Sequence, residues 1–269
     1  MEALIGYPDK WRAYAFDIRR DDFAGNVLRA QRAEQERLLA TVGKPVDRGQ
    51  WQMTPPTVNA YYDSSLNQIV LPAGILQPPF FGATFHPAVN FGATGGSTVG
   101  HEMTHGFDDE GAQFDGAGNL VDWWSEPTAK AFEQATRCVV DQYGAYEVVP
   151  GAKPVLKVDG ALTAGENIAD IGGVKLGFAA YRAWRDGQPV KPPASVEGMS
   201  DDQLYFLSYG QSWCSKVRPE LLTSQAHDNP HAPPEWRVNG VMVDQPGFAE
   251  AFQCKAGSAM NPGKRCDIW

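Results

Sequence analysis

The chain has 269 residues, of which 43% are hydrophobic and 11% aromatic, a composition typical of a globular protein with a sizeable core. Its 23 Lys and Arg residues face 32 Asp and Glu residues, and the formal net charge of −9 argues against nucleic acid or an anionic membrane as a partner. No apolar run reaches membrane-spanning length, and the first residues lack the basic and hydrophobic segments of a signal peptide. We therefore expect either a cytoplasmic protein or a chain that continues from an upstream export signal.

The first hundred residues are predicted to contain a long helix and a β-hairpin. Residues 9–42 carry a charged pattern with Ala and Leu that predicts an amphipathic helix, closed by Gly43. Residues 50–76 change to β-branched and aromatic residues around the turn-like segment 63–65, which predicts a hairpin or two short strands. The glycine-rich stretch 91–100 is not a phosphate-binding loop, because no Lys-Ser or Lys-Thr pair follows its last glycine.

The second part of the chain is predicted to be helical with one surface connection. The expected helices are 127–146, a helix that begins at Ala164 or Gly165, and about 201–216. Residues 186–200 are rich in Pro, Gly and Ser and indicate a surface loop. From Pro219 onward the chain is rich in Pro and Gly, and a short patch at 247–254 resembles a helix.

The segment HEMTH at 101–105 has the spacing of a zinc site. An α-helix advances about 100° per residue, so His101 and His105 lie on one face and both imidazoles can reach one ion. Glu102 projects beside them, where a carboxylate can take the proton of a metal-bound water as that water attacks a carbonyl. The alternative is a helix that carries two histidines and a glutamate on its solvated side.

A third ligand distinguishes these two interpretations. Catalytic zinc typically has three protein ligands, and the candidate is Glu166 in the segment GENIADIGG. Asp170 lies one helical turn further on, so one carboxylate can bind zinc while the other holds the outer nitrogen of a zinc histidine. In isolation the two acids could equally form an exposed helix face. Together with HEMTH they favour a metal site with one Zn²⁺ per chain.

Several segments resemble the catalytic region of the neprilysin family of zinc endopeptidases, in the family's order and from about Ile5 to Trp269. They are VNAYY, NQIVLPAGILQPPFF, HEMTHGFDDEG, GENIADIGG, WCSKVRPE and FQCKAGSAMNPGKRCDIW. The resemblance implies an α+β fold, a thermolysin-like zincin catalytic domain that is mainly helical with a small mixed β-sheet beside the active-site helix. It also implies one catalytic domain over residues 1–269.

The resemblance assigns a role to each residue of the zinc motifs. It makes His101, His105 and Glu166 the zinc ligands, Glu102 the general base and Asp170 the partner of a zinc histidine. These are also the roles that the spacing alone suggests.

The resemblance further implies a set of groups that contact a bound peptide. They are His231 at the developing oxyanion, Arg237 at a substrate backbone carbonyl, Asn59 and Ala60 along the substrate backbone by β-strand addition, and Phe80 and Trp213 around the apolar side chain just after the scissile bond. Without the resemblance, His231 would be a loop histidine and Arg237 a surface ion-pair residue, and the two aromatic residues would more often belong to a core. His227 is the alternative to His231.

Acidic residues that follow the HEMTH segment do not have the spacing of a helix-loop-helix calcium site. Of Asp108, Asp109, Asp115 and Asn119, one aspartate is expected to orient a zinc histidine and the others to be solvated. No calcium is expected.

The resemblance also implies that a longer protein surrounds this region. Family members carry a large N-terminal helical domain that covers the active site, and that domain is absent from this sequence. The spread of the four cysteines is compatible with free thiols or with disulfides. By resemblance Cys138 pairs with Cys266, while the partners of Cys214 and Cys254 lie in the absent N-terminal portion. The family likewise implies an extracytoplasmic location, as a periplasmic, secreted or membrane-anchored ectodomain.

The stretch between Asn90 and His101 is one residue longer than the usual family pattern, and Ser97 and Thr98 stand where the family has aliphatic residues. If the whole stretch were α-helical, an extra residue would rotate everything upstream by about 100° unless it were absorbed at the helix start.

The sequence thus predicts a zinc-dependent endopeptidase that hydrolyses short peptides, with cleavage before hydrophobic residues. One alternative is a truncated, inactive peptide-binding zinc domain without its covering domain. Another is a cytoplasmic metal-dependent hydrolase of small molecules, which would require reduced cysteines.

Overall fold

The computed structural model describes residues 1–193 and 195–268. Its helices in chain order are α1 (Phe23–Leu39), α2 (Pro87–Asn90), α3 (His101–Thr104), α4 (Glu126–Gly144), α5 (Ala164–Gly187), α6 (Asp201–Ser212), α7 (Pro219–Gln225), α8 (Pro234–Met242) and α9 (Pro246–Ala251). A π-helix, Phe91–Gly100, joins α2 to α3, and short 3₁₀ turns cover Ala73–Ile75, His105–Phe107 and Gly111–Gln113. The strands are β1 (Glu2–Gly6), β2 (Tyr61–Asp63), β3 (Gln68–Pro72), β4 (Ser195–Val196) and β5 (Met199–Ser200).

Helix α5 is the centre of the core and begins at Ala164, as predicted. Its first turns are largely buried, and Ile168 and Val174 have no exposed surface. The main apolar cluster surrounds it with side chains of α4, α6 and α8, including the buried Tyr143 and Tyr205. The fold therefore buries the helix that carries Glu166 and Asp170.

The expected helix over residues 9–42 is wrong in its first half, because α1 begins only at Phe23. Asp22 caps it by accepting a hydrogen bond from the backbone of Gly25 at 2.9 Å. Before the cap, the side chain of Asn26 accepts a hydrogen bond from the backbone N–H of Arg19 and donates one to its carbonyl oxygen. These side-chain bonds replace the backbone hydrogen bonds of a helix. No residue of α1 is buried, so no core packing extends the helix.

The predicted hairpin is present in a small mixed sheet with strand order β1-β3-β2. Strands β2 and β3 are antiparallel, and the turn between them contains Asn67 at a positive φ of 47°. Strand β1, which the sequence did not indicate, pairs with β3 in parallel. Every residue of β3 is buried, while β2 lies at the edge of the sheet beside the HEMTH helix.

The segment before HEMTH is a ten-residue π-helix and not the α-helix that the rotation argument assumed. A π-helix bonds residue i to i+5, so each turn holds more residues than an α-helical turn. The wider winding accommodates a longer stretch between Asn90 and His101 without breaking the helix. It continues directly into α3, which carries His101 and Glu102.

The π-helix packs against α5 through glycines on both helices. A methyl group at Gly173 would lie 2.6 Å from the carbonyl oxygen of Gly96 and 2.6 Å from the backbone nitrogen of His101. A methyl group at Gly100 would lie 2.6 Å from the carbonyl oxygen of Gly173. The two backbones therefore touch where one helix carries His101 and the other carries Glu166 and Asp170.

The C-terminal part is more helical than its Pro and Gly content indicated. The 247–254 patch is represented by α9, but α7 and α8 were not predicted. Each of these three helices has a proline in its first turn, where the missing N–H costs no hydrogen bond. Helix α6 ends at Ser212, four residues before the predicted end.

The expected disulfide between Cys138 and Cys266 is present and links α4 to the C-terminal segment. Cys214 and Cys254 are free, the first exposed and the second half-buried. Within the described residues, no helix has both the length and the apolar character needed to cross a membrane.

Candidate zinc site

His101 and His105 turn their Nε2 atoms towards each other at a separation of 3.0 Å. The outer nitrogen of each ring faces a carboxylate: Nδ1 of His101 lies 2.9 Å from Oδ1 of Asp170, and Nδ1 of His105 lies 2.6 Å from Oδ2 of Asp108. When Nδ1 of each ring carries the proton and shares it with its carboxylate, Nε2 keeps a lone pair that can bind a metal. Asp108 is thus the aspartate that the sequence expected beside a zinc histidine.

Glu166 brings its carboxylate to the same point from the first turn of α5. Oε2 lies 3.3 Å from Nε2 of His101, and Oε1 lies 3.8 Å from Nε2 of His105. One ligand atom from each of these three residues lies within 4.8 Å of the other two. Burial raises the pKa of Glu166, but the hydrogen bond and charge of His101, together with the charge of Arg237, outweigh it and hold the pKa well below its usual range.

These three residues fit a zinc ion by donor type and by their surroundings. Two imidazoles and one carboxylate are a common catalytic zinc set, and each imidazole has the carboxylate partner that fixes its tautomer. Burial lowers the pKa of His101, yet Asp170 and Glu166 overcome this effect and raise that pKa to about 10. The site therefore favours positive charge at its centre.

Asp170 and Arg237 form a buried ion pair that the sequence did not reveal. Nε of Arg237 donates to Oδ2 of Asp170 at 2.7 Å, and Nη2 donates to Oδ1 at 2.9 Å. The same Nη2 lies 3.3 Å from Oε2 of Glu166. The guanidinium carbon lies 3.8 Å from the centre of the Trp213 ring, a cation–π contact. Arg237 is therefore held between the two acids of α5 and one aromatic face.

Glu102 is buried, with 6% of its surface exposed, and lines the cleft beside the two histidines. Burial raises the pKa of its carboxyl group, while the neighbouring His101 and His105 oppose the rise. A carboxylate with a raised pKa is a stronger base, so its environment suits proton abstraction.

His231 approaches the site from the loop before α8. Its Nε2 lies 3.2 Å from Oε1 of Glu166, and its side chain is 44% exposed. Burial lowers the pKa of this imidazole, against the charge of Glu166, which raises it. The competing candidate His227 does not line the cleft.

All six peptide-contacting candidates line one cleft of about 510 Å³ together with the zinc candidates. Ala60 is buried and Asn59 is exposed at the rim, where its Oδ1 accepts from the backbone of Ala60 at 2.9 Å. Phe80 is half-buried in the cleft wall, and Ser97 and Thr98 of the π-helix line it as well. The cleft also includes Tyr61 and Tyr62 of β2, two consecutive aromatic residues that were predicted only as part of a strand.

The chain matches the family described as Peptidase family M13 over residues 59–268. It is 41% identical over 277 residues to Neprilysin-1 of Caenorhabditis elegans, a match that covers 98% of this chain and 36% of that protein. It is 45% identical over 226 residues to endothelin-converting enzyme 1 of Bos taurus, covering 84% and 29% of the two chains.

The fold is similar to the crystal structure of the Mycobacterium tuberculosis zinc metalloprotease Zmp1 in complex with an inhibitor. The TM-score is 0.91 and the identity 42%, and the match covers 100% of this chain and 41% of that chain. The chain thus spans less than half the length of each of these relatives.

Proposed function

Because the chain belongs to peptidase family M13, we propose that it is the catalytic region of a zinc-dependent endopeptidase that hydrolyses short peptides. The observation that carries the proposal is the convergence of His101, His105 and Glu166 on one point, with the buried Glu102 beside them in the same cleft. Family membership also confirms the expected neprilysin-family assignment and its mainly helical, zincin-like fold.

His101, His105 and Glu166 would hold one zinc ion. When bound, zinc supplies a Lewis acid that polarises the scissile carbonyl and lowers the pKa of water. Glu102 takes a proton from the attacking water as the water oxygen bonds to the carbonyl carbon. The same carboxyl group then delivers that proton to the amide nitrogen as the carbon–nitrogen bond breaks.

His231 and Arg237 are the donors proposed to act on the substrate carbonyls. His231 presents Nε2 beside Glu166, where a donor can stabilise the oxygen that becomes negative during attack. Arg237 reaches the cleft with its guanidinium already held by Asp170 and Trp213. A donor fixed before the substrate arrives loses little freedom on binding, which favours transition-state stabilisation.

Substrate recognition is proposed to combine strand addition with an apolar pocket. Asn59 and Ala60 precede β2, an edge strand on which an extended peptide backbone can lie. Phe80 and Trp213 offer aromatic surface in the cleft. This arrangement supports cleavage before a hydrophobic residue.

We also propose that this region works as the C-terminal part of a longer, extracytoplasmic protein, with residues 1–269 as one catalytic domain. The relatives are more than twice as long, and the disulfide between Cys138 and Cys266 favours an oxidising compartment. The disulfide also disfavours the cytoplasmic small-molecule hydrolase, which required reduced cysteines.

The test compares wild-type protein with Glu102→Gln on a fluorogenic peptide that has a hydrophobic residue after the scissile bond. We expect the variant to bind about one zinc per chain, as measured by atomic emission, and to lose activity by at least about a thousandfold, because the proton acceptor is gone. Full activity in Glu102→Gln would refute the mechanism. Tight peptide binding without turnover by the wild type would instead favour the inactive peptide-binding domain.

A further inference from the structure

The π-helix and α3 form one continuous helical run, Phe91–Thr104, that carries four hydroxyl side chains. Three of them donate to carbonyl oxygens within the protein. These bonds run from Thr94 to Phe80 at 2.6 Å, from Ser97 to Ala93, and from Thr104 to Gly100 at 2.7 Å. The fourth hydroxyl, that of Thr98, forms no hydrogen bond among the residues that the structure describes.

The free hydroxyl of Thr98 opens into the cleft. Thr98 lines the cleft and is only 2% exposed. Its Oγ1 is not sealed within the protein, so the small surface that Thr98 keeps includes the hydroxyl. A hydroxyl can donate one hydrogen bond and accept others. The helix therefore presents an unused hydrogen-bonding group to whatever occupies the cleft.

Thr98 lies between the aromatic wall of the cleft and Glu102. It follows Thr94 by four residues and precedes Glu102 by four residues, so the three side chains lie about one turn apart along one side of the run. Thr94 is bonded to the backbone of Phe80, and Glu102 is the proposed base. The hydroxyl is therefore placed where the side chain just after the scissile bond would enter.

We propose that Thr98 makes this cleft selective for tyrosine over phenylalanine just after the scissile bond. Phe80 and Trp213 line the same cleft and offer aromatic surface, which a large ring covers and a small hydroxyl side chain leaves exposed. Tyrosine combines such a ring with a hydroxyl that needs a partner when it is buried. The inference rests on the proposed function, because it names the side chain that the proposed endopeptidase takes.

Phenylalanine would fill the same space without satisfying the wall. Its ring would displace water from the hydroxyl of Thr98 and offer no hydrogen bond in return, and a buried polar group without a partner costs free energy. A site that bonds to a substrate hydroxyl rejects the analogue that lacks it for this reason. One neutral hydrogen bond corresponds to a preference of roughly threefold to tenfold.

The experiment measures kcat/KM for two peptides that differ only in tyrosine or phenylalanine just after the scissile bond. Wild type should prefer the tyrosine peptide by roughly threefold to tenfold. Thr98→Val keeps the shape of the wall but loses the hydroxyl, so it should cleave the two peptides about equally, chiefly through a loss on the tyrosine peptide. If Thr98→Val does not fold, Thr98→Ala removes the hydroxyl without adding bulk.

The matched control is Thr104→Val. Thr104 lies on the same helical run and is also 2% exposed, but its hydroxyl is already bonded and it does not line the cleft. The control should keep the wild-type preference even if it lowers both rates. Any loss of stability or zinc binding acts on both peptides and cancels in the ratio of the two rates.

Equal rates of the wild type on the two peptides, or a tyrosine preference that survives in Thr98→Val, would overturn the inference. Failure of the wild type to cleave either peptide is a different result, which would count against the proposed function. Titration calorimetry of both peptides with Glu102→Gln, alone and combined with Thr98→Val, then decides the role of Thr98. Tighter binding of the tyrosine peptide that Thr98→Val abolishes would support that role, and equal affinities would refute it.

Discussion

Asp170 joins two parts of the proposed site, because its carboxylate faces both His101, a proposed zinc ligand, and Arg237, the proposed donor to a substrate carbonyl. One oxygen lies 2.9 Å from Nδ1 of His101 and accepts from Arg237, and the other accepts from Nε of Arg237 at 2.7 Å. Burial raises the pKa of Asp170, but the charge of Arg237 and the hydrogen bond with His101 hold it below its usual range. The buried side chain therefore stays ionised.

Asp170→Asn should weaken both zinc binding and folding. Asparagine cannot accept from all these donors, and it leaves the guanidinium of Arg237 buried without its counter-charge. We expect zinc affinity to fall about 10- to 100-fold and the free energy of unfolding to fall by about 3–5 kcal/mol. Chelator competition and urea unfolding measure the two effects. Asp186→Asn, at an exposed ion pair with Arg185, should change neither; equal losses in both variants would contradict the expectation.

Asp244 makes stability depend on pH through a different buried carboxyl group. It accepts hydrogen bonds from Gln142 at 2.9 Å and from the backbone of Cys266 at 2.8 Å, yet burial raises its pKa to about 6. The folded chain thus binds this proton more tightly than the unfolded chain, whose pKa is near 3.8. The resulting stabilisation is complete below the unfolded pKa and is lost as the pH rises through about 6.

Asp244→Asn should remove this contribution. Relative to the variant, the wild type should lose up to about 3 kcal/mol of unfolding free energy between pH 3.5 and pH 7, since one pKa unit corresponds to about 1.4 kcal/mol. Urea unfolding of both proteins at several pH values measures the difference in their unfolding free energies. Titrations of the zinc-site residues cancel in this difference, because both proteins carry the same site. A difference that is constant with pH would exclude Asp244 as the source.

At the residue scale, the sequence predicted the groups that lie close together along the chain and missed the contacts between residues far apart in sequence. His101, His105 and Glu102 lie within one helical turn, so their spacing alone indicated a metal site. The pair of Asp170 and Arg237 joins residues 67 positions apart, and neither residue has a sequence pattern that indicates the other.

At the scale of elements, the contact between the π-helix and α5 determines the distance between the proposed zinc ligands His101 and Glu166. Glycines on both helices allow backbone contact. The sequence indicated only that the glycine-rich stretch 91–100 is not a phosphate-binding loop, and it did not predict this contact. The same limit explains the wrong start predicted for α1. The charged pattern already begins at residue 9, whereas the helix begins at Phe23. Periodicity reports which face is apolar, but the cap at Asp22 determines where the helix begins.

Gly173→Ala should separate these helices. The new methyl group would meet backbone atoms of Gly96 and His101 at 2.6 Å, and backbone cannot move aside as a flexible side chain can. We expect a loss of about 1–3 kcal/mol in unfolding free energy and weaker zinc binding. The control is Gly187→Ala at the end of the same helix, where nothing lies within 4 Å. Calorimetry and chelator competition test both variants, and similar zinc affinities for the two would contradict a ligand-spacing role.

At the scale of the whole molecule, one covalent link ties the end of the chain to its middle. The disulfide between Cys138 and Cys266 closes a loop with a sequence separation of 128 residues, which includes α5 and the loop of His231. The resemblance predicted this pair, but the spacing of the cysteines could not, because four cysteines allow several pairings.

Replacing both linked cysteines by serine should lower the free energy of unfolding by about 2–5 kcal/mol, since the unfolded chain gains freedom. Urea unfolding without reductant measures the loss. Thiol titration of the unfolded, unreduced wild type should find the free thiols of Cys214 and Cys254 alone. Four reactive thiols would contradict the linkage and would revive the cytoplasmic interpretation.

Helix α1 has a consequence for how the folded state opens. Because none of its side chains is buried, its hydrogen bonds can break without disturbing the core around α5. Its amide hydrogens should exchange with solvent through local fraying, whereas those of Ile168 and Val174 should exchange only when the whole domain unfolds. The molecule therefore has two levels of protection against amide exchange, and Glu166, the proposed zinc ligand, lies on the helix whose amides exchange more slowly.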